Sequence, residues 1–130
     1  MVNILLVGAG GLAGSVARYL VGVWVQSLSG NAWIPYGTLA VNVVGCFLIG
    51  LVAGLAETRQ FLGEGTRALV VIGLLGGFTT FSAFGYETIA MVREGHMAAA
   101  AANVGLQVAL GLTAVWIGWS VSHSITLGIR

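Results

Sequence analysis

The sequence predicts an all-α membrane protein with four transmembrane helices, and three observations carry that prediction. Of its 130 residues 58% are hydrophobic and only 7% are charged, against roughly 25% charged in soluble domains. Apolar windows at about 4–27, 34–56, 68–92 and 97–121 each reach the roughly 20 residues that a helix needs to cross hydrocarbon. The connections between them are too short for a soluble domain: Ser27 to Trp33 carries Ser-Gly-Asn turn residues through Asn31, Glu57 to Arg67 is charged, and Arg93-Glu94-Gly95-His96 makes a tight turn.

The first window follows Met1-Val2-Asn3, which lacks the positive flank of a signal peptide, and it runs past the length of a signal core. It reads as a retained span. Its glycines, Gly8-Ala9-Gly10-Gly11-Leu12-Ala13, imitate a dinucleotide-binding turn. Such a site needs an acid about 20 residues further on, and the first acid in the chain is Glu57. Helix packing is the better use of these glycines. Gly10 with Gly14, Gly50 with Gly54 and Gly73 with Gly77 all have the four-residue spacing that lets helix backbones approach.

Arg18 lies well inside the first span, where a charge costs roughly 2.5–3.5 kcal/mol on insertion scales. It has two readings, a positive vestibule that draws anions or an arginine snorkelling to the nearer interface. In the second span Thr38, Asn42 and Gly45 share a face, and Asn42 either bonds a neighbouring helix or offers its N–H groups to a passing anion. Cys46 lies in the same apolar run, forms no intrachain disulfide because it is the sole cysteine, and reads as a small buried hydrophobe.

The third span carries Gly76-Gly77-Phe78-Thr79-Thr80-Phe81-Ser82-Ala83-Phe84 at its centre. In hydrocarbon every backbone polar group must find a partner within the protein. A helix-weakening cluster at mid-depth therefore points to a function. Phe81 and Phe84 share a helix face and either pack as core or present their positive ring edges to an anion. Glu87, a turn further, is either a pore-mouth acid or an interfacial charge. In the fourth span Asn103, Gln107 and Gly111 share a face, so the two amides either line a path or bond across helices.

A formal net charge of +1 leaves no basic surface for nucleic acid, and no nucleophile stands beside a base, so an enzyme is not expected. His96 and His123 lie at span ends and read as interfacial, while Trp24, Trp33, Trp116, Trp119 and Tyr36 fit an aromatic belt. With four spans, Arg59, Arg67 and Arg130 fall on one side of the membrane and Arg93 on the other, with Arg18 nearer to the latter. That asymmetry is too thin to orient the chain. Insertion in both senses, and antiparallel pairing of two copies, is the expectation.

With its Gly37-Thr38-Leu39-Ala40-Val41-Asn42-Val43-Val44-Gly45 and Gly76 to Phe84 motifs, the chain resembles the Fluc fluoride channels, also called CrcB. The resemblance extends over all four spans. It implies a dual-topology antiparallel homodimer, in a bacterial inner (plasma) membrane, that exports fluoride passively through two pores. It further implies a third helix broken near its middle and a structural sodium ion at the dimer centre. Phe81 and Phe84 match the pore phenylalanines and Asn42 the amide donor beside them, with Thr80 and Ser82 in the hydroxyl-rich segment near the pore. Gly76 and Thr79 match the backbone carbonyls that hold the sodium. Arg18 matches a first-span arginine and Glu87 an acid after the second phenylalanine, with Thr38 on the same face as Asn42. Where the family often has a tyrosine followed by serines or threonines in the fourth span, Asn103, Gln107 and Gly111 stand here. The alternative, a small dual-topology multidrug exporter, needs a carboxylate embedded in its first span, and this chain has none there.

Overall fold

The computed structural model describes residues 1–30, 33–59 and 62–127. Asn31, Arg130 and the side chain of Arg59 lie outside the described residues. Four helical spans are long and apolar enough to cross a membrane, at Val2–Leu28, Tyr36–Glu57, Glu64–Arg93 and Met97–Ile125. The described residues contain no strand. Each span runs past its apolar window at one or both ends, because a helix ladder continues into the polar interface once hydrocarbon has imposed it.

Helices α1 (Val2–Leu28) and α2 (Tyr36–Arg59) are continuous. The third span is composite: a turn α3 (Glu64–Thr66), a π-helical segment (Arg67–Leu75), a turn α4 (Gly76–Phe78) and helix α5 (Phe81–Arg93). Between α4 and α5 the backbone is extended, with ψ 157° at Thr79 and φ −150°, ψ 110° at Thr80. Helix α6 (Met97–Leu127) closes the bundle. Nothing local in Arg67–Leu75 signals the wider π coil.

The spans meet through glycine. Gly10 and Gly14 on α1 are buried against the backbone of the third span, and Gly73 and Gly77 return the contact. Gly50 and Gly54 of α2 meet Val115 and Ser122 of α6. The three predicted pairs are therefore all in use. Gly118, which meets Phe47 and Leu51 of α2, and Gly37, which meets Gly22, complete the pattern. Gln26, near the end of α1, accepts the Gly37 N–H at 3.0 Å and so satisfies an orphan donor in the first turn of α2.

The turn into α6 is a Schellman motif. Gly95 has φ 83°, its N–H bonds Val92 O at 3.1 Å and the His96 N–H bonds Met91 O at 2.8 Å. A side chain at this φ costs roughly 1–2 kcal/mol. Gly95→Ala is thus expected to lower stability by about 1 kcal/mol, read as a lower thermal midpoint in detergent, with the fold kept. Trp33 stacks on His96, ring centroids 3.6 Å apart, so the first and third loops share one end. At the other end Trp119 donates to Glu57 at 3.0 Å and lies against His123.

Candidate functional site

The extended pair Thr79–Thr80 lies within the third apolar span, where each backbone group without a helical bond needs a substitute partner. Thr79 keeps its bond back to the helix, its N–H and its hydroxyl both donating to Leu75 O at 3.0 Å. Thr80 is served from α2. Its N–H donates to Asn42 Oδ1 at 2.8 Å, and its carbonyl accepts from Asn42 Nδ2 at 3.0 Å. One amide side chain thus does what a neighbouring strand does for an extended residue. The Thr80 hydroxyl then caps α5 by accepting the Ala83 N–H at 3.2 Å. Gly76 and Gly77, the conspicuous helix-weakening residues, are themselves helical.

These substitutions take the α-helical donor away from two carbonyls, those of Gly76 and Thr79. In an unbroken helix the Thr80 N–H would bond Gly76 O, and the Ala83 N–H would bond Thr79 O. Both donors are turned elsewhere.

The predicted face of α2 reads the whole length of the interruption. Gly45 lies against Thr79, leaving no room for a Cβ. Asn42 holds Thr80 and also donates to Gln107 Oε1 of α6 at 3.1 Å. Thr38 donates to Glu87 Oε1 at 2.6 Å. Glu87 is half-buried between helices, and its Oε2 is buried without a partner among the described residues.

Two cavities flank this seam. The first, about 400 Å³, is lined by Asn42, Thr80, Phe81, Phe84 and Gln107, together with Gly76 and Thr79. Cys46 also lines it, so the thiol is not simply core. The Phe81 and Phe84 rings meet edge to face, with centroids 5.3 Å apart and planes at 61°. The second, about 630 Å³, lies between α1, α2 and α5 and gathers Arg18, Thr38 and Glu87. Thr80 borders both.

Ser82 is exposed, its Oγ 3.3 Å from Thr80 Oγ1, and it borders neither cavity. Asn103 is fully buried and donates to Thr88 Oγ1 at 2.9 Å, which in turn donates to Phe84 O at 2.7 Å. It bonds α6 to α5. Thr88 escaped sequence reasoning, although its position four residues beyond Phe84 was the available signal. Ser15, which donates to Gly77 O at 3.5 Å, escaped likewise.

Four apolar helical spans around a seam of amides, hydroxyls and phenyl rings define a small multi-pass membrane protein. Its polar groups gather along two cavities, both bordered by Thr80. The chain belongs to the CrcB family: residues 5–119 match the family described as CrcB-like protein, Camphor Resistance (CrcB). It is 43% identical over 121 residues to the fluoride-specific ion channel FluC of Acidobacterium capsulatum, covering 93% of this chain and 96% of that one. It is 46% identical over 118 residues to that of Geobacter sulfurreducens (91% and 94% covered). To that of Rhizobium etli it is 43% identical over 125 residues (96% and 99%). These relatives are named as ion channels, a class that is not enzymatic.

Proposed function

We propose that this protein is a fluoride-selective channel of a bacterial inner membrane, passing the ion passively through two pores of an antiparallel homodimer. The observation that carries the reading is the Thr79–Thr80 interruption, which we take as the break in the third helix. It is held by Asn42 and opens beside the Phe81–Phe84 edge pair in one cavity. Fluoride is small and strongly hydrated, so a pore must replace its water with directed donors and positive ring edges while staying too narrow for larger halides. Asn42, Thr80, Phe81 and Phe84 supply that lining, with Ser82 at its edge. Arg18, Thr38 and Glu87 form the approach, and the Arg18 charge draws anions toward it. The names of the relatives favour the same ion. The exporter alternative gains nothing, since no acid lies in α1.

Phe81 is 83% exposed on a single copy, which supports completion of the pore by a second. The carbonyls of Gly76 and Thr79 fit a hard cation that takes oxygen ligands, and they would hold sodium between the two copies. Bound there, sodium would supply a fixed positive charge near the anion's path.

Purified protein in liposomes is expected to release fluoride far faster than empty liposomes and to exclude chloride. Phe81→Ile should slow that release by about tenfold or more, equivalent to about 1.4 kcal/mol of barrier, with the dimer intact on size exclusion. Dialysis against sodium-free buffer should reduce efflux as well. Efflux matching empty liposomes, or equal passage of chloride, would discard the reading.

A further inference from the structure

We infer that the groove between the first turns of α1 and of the third span is a binding site for a phospholipid whose zwitterionic headgroup ends in a primary amine. The inference is independent of which ion the protein passes.

The two walls of the groove start from the same end of the bundle. Gly10 meets Leu69 and Gly73, and Gly14 meets Leu74 and Phe78, so α1 and the third span run parallel. Beyond those contacts, toward the start of both helices, a groove of about 420 Å³ opens. Asn3, Glu64 and Arg67 line its outer part, and Ile4, Val7 and Ile72 follow further into the spans. Polar at the helix ends and apolar toward the hydrocarbon is the order of a phospholipid entering from the bilayer surface. A soluble anion would gain nothing from the three aliphatic side chains, and a bare hydrocarbon chain nothing from the charges.

The charges narrow the headgroup. A carboxylate and a guanidinium three residues apart on a helix ordinarily pair. Here neither the Glu64 nor the Arg67 side chain has a hydrogen-bond or ion-pair partner among the described residues, and both are exposed. An anion and a cation therefore share one groove with their bonding capacity unused. The guanidinium fork matches a phosphate, while an ionised carboxylate only accepts and so calls for N–H donors. Phosphatidylethanolamine carries both, a phosphate and an ammonium with three N–H groups, joined by a short link. A headgroup with phosphate as its only charge would set Glu64 against an anion. A trimethylammonium headgroup would bring the charge to Glu64 without a donor.

The test mixes purified protein in detergent with phosphatidylethanolamine, phosphatidylcholine or phosphatidylglycerol of identical dioleoyl chains, and counts bound lipid by native mass spectrometry. Wild type, Glu64→Gln and Arg67→Gln are compared, each confirmed as folded by size exclusion. We expect the wild type to retain the ethanolamine lipid at least about threefold better than either of the others. Arg67→Gln should lower that retention about threefold, and Glu64→Gln should abolish the preference over phosphatidylglycerol because the repulsion is gone. Equal retention of the three lipids would mean that lipid covers the groove without recognition, and no retention would mean that a second copy or nothing covers it. A preference that survives both substitutions would put the recognition elsewhere. Each of these results overturns the site.

Discussion

Asn42→Leu is expected to abolish fluoride efflux, to below about 1% of wild type, and to destabilise the protein by about 3 kcal/mol or more. Leucine keeps the branching and the heavy-atom count of asparagine but offers no polar atom. Two groups lose their partner at once, the Thr80 N–H and Gln107 Oε1, and the Thr80 carbonyl loses one of its bonds. Each buried orphan costs about 1–3 kcal/mol, and water entering the cavity recovers part of the sum. The functional loss should exceed the loss of stability, because the Thr80 geometry starts α5 and thereby places both phenylalanines. Asn42→Asp separates the contributions. It keeps an oxygen for the Thr80 N–H but sets the other against two acceptors, so efflux should fall as far while less stability is lost. Thermal unfolding in detergent with efflux in liposomes checks both. An Asn42→Leu protein that melts with the wild type and still conducts would show that the clamp has no such role.

The reach of the sequence ends where this clamp begins. Apolar windows located all four spans, since hydrocarbon demands a helix of fixed length whatever its neighbours do. Small-residue spacing located Gly10, Gly14, Gly50, Gly54, Gly73 and Gly77, because backbone approach leaves a local signature. The extended pair fell inside the region that the sequence singled out but not at the residues that looked weakest. Gly76-Gly77 looked weakest by propensity, yet both are helical, and the extended residues are Thr79 and Thr80. What decides between them is a partner 38 positions away, Asn42, whose paired bonds favour an extended Thr80 over a helical one. Propensity has no access to such a bond. The same holds for the fourth span, where Asn103 and Gln107 look equivalent by spacing and differ only because Thr88 faces one and Asn42 the other.

The bundle thereby has two kinds of contact with different tolerances. At the seam, polar groups of α2 and α6 satisfy the gap, and a substitution there is expected to alter the proposed ion path before it dissolves the fold. Along α1, by contrast, bare backbone meets bare backbone, and the bond from Ser15 to Gly77 O, already 3.5 Å long, is lost if the distance grows.

Gly10→Ala is accordingly expected to lower stability by about 3 kcal/mol, at the upper end of ordinary overpacking, and to leave little folded protein. A Cβ on Gly10 would press on Leu69 O and come within 2.8 Å of Leu74 N and 3.0 Å of Gly73 Cα. All three neighbours are backbone, so no rotamer can yield and α1 must move as a body. The contact is mutual, since a Cβ on Gly73 would stand 2.8 Å from Val7 O and 3.0 Å from Gly10 Cα. Lipid is as apolar as the helix surfaces, so burial does not oppose the separation, and lost van der Waals contact is lost outright. Gly8→Ala is the control. It lies one turn-face away on the same helix with open space around it, and replacing glycine by alanine in a helix should by itself add about 1 kcal/mol. Intrinsic propensity acts alike on both variants, so the difference between their thermal midpoints in detergent reports the α1 contact alone. Equal midpoints for the two would mean that α1 and the third span do not meet through their backbones.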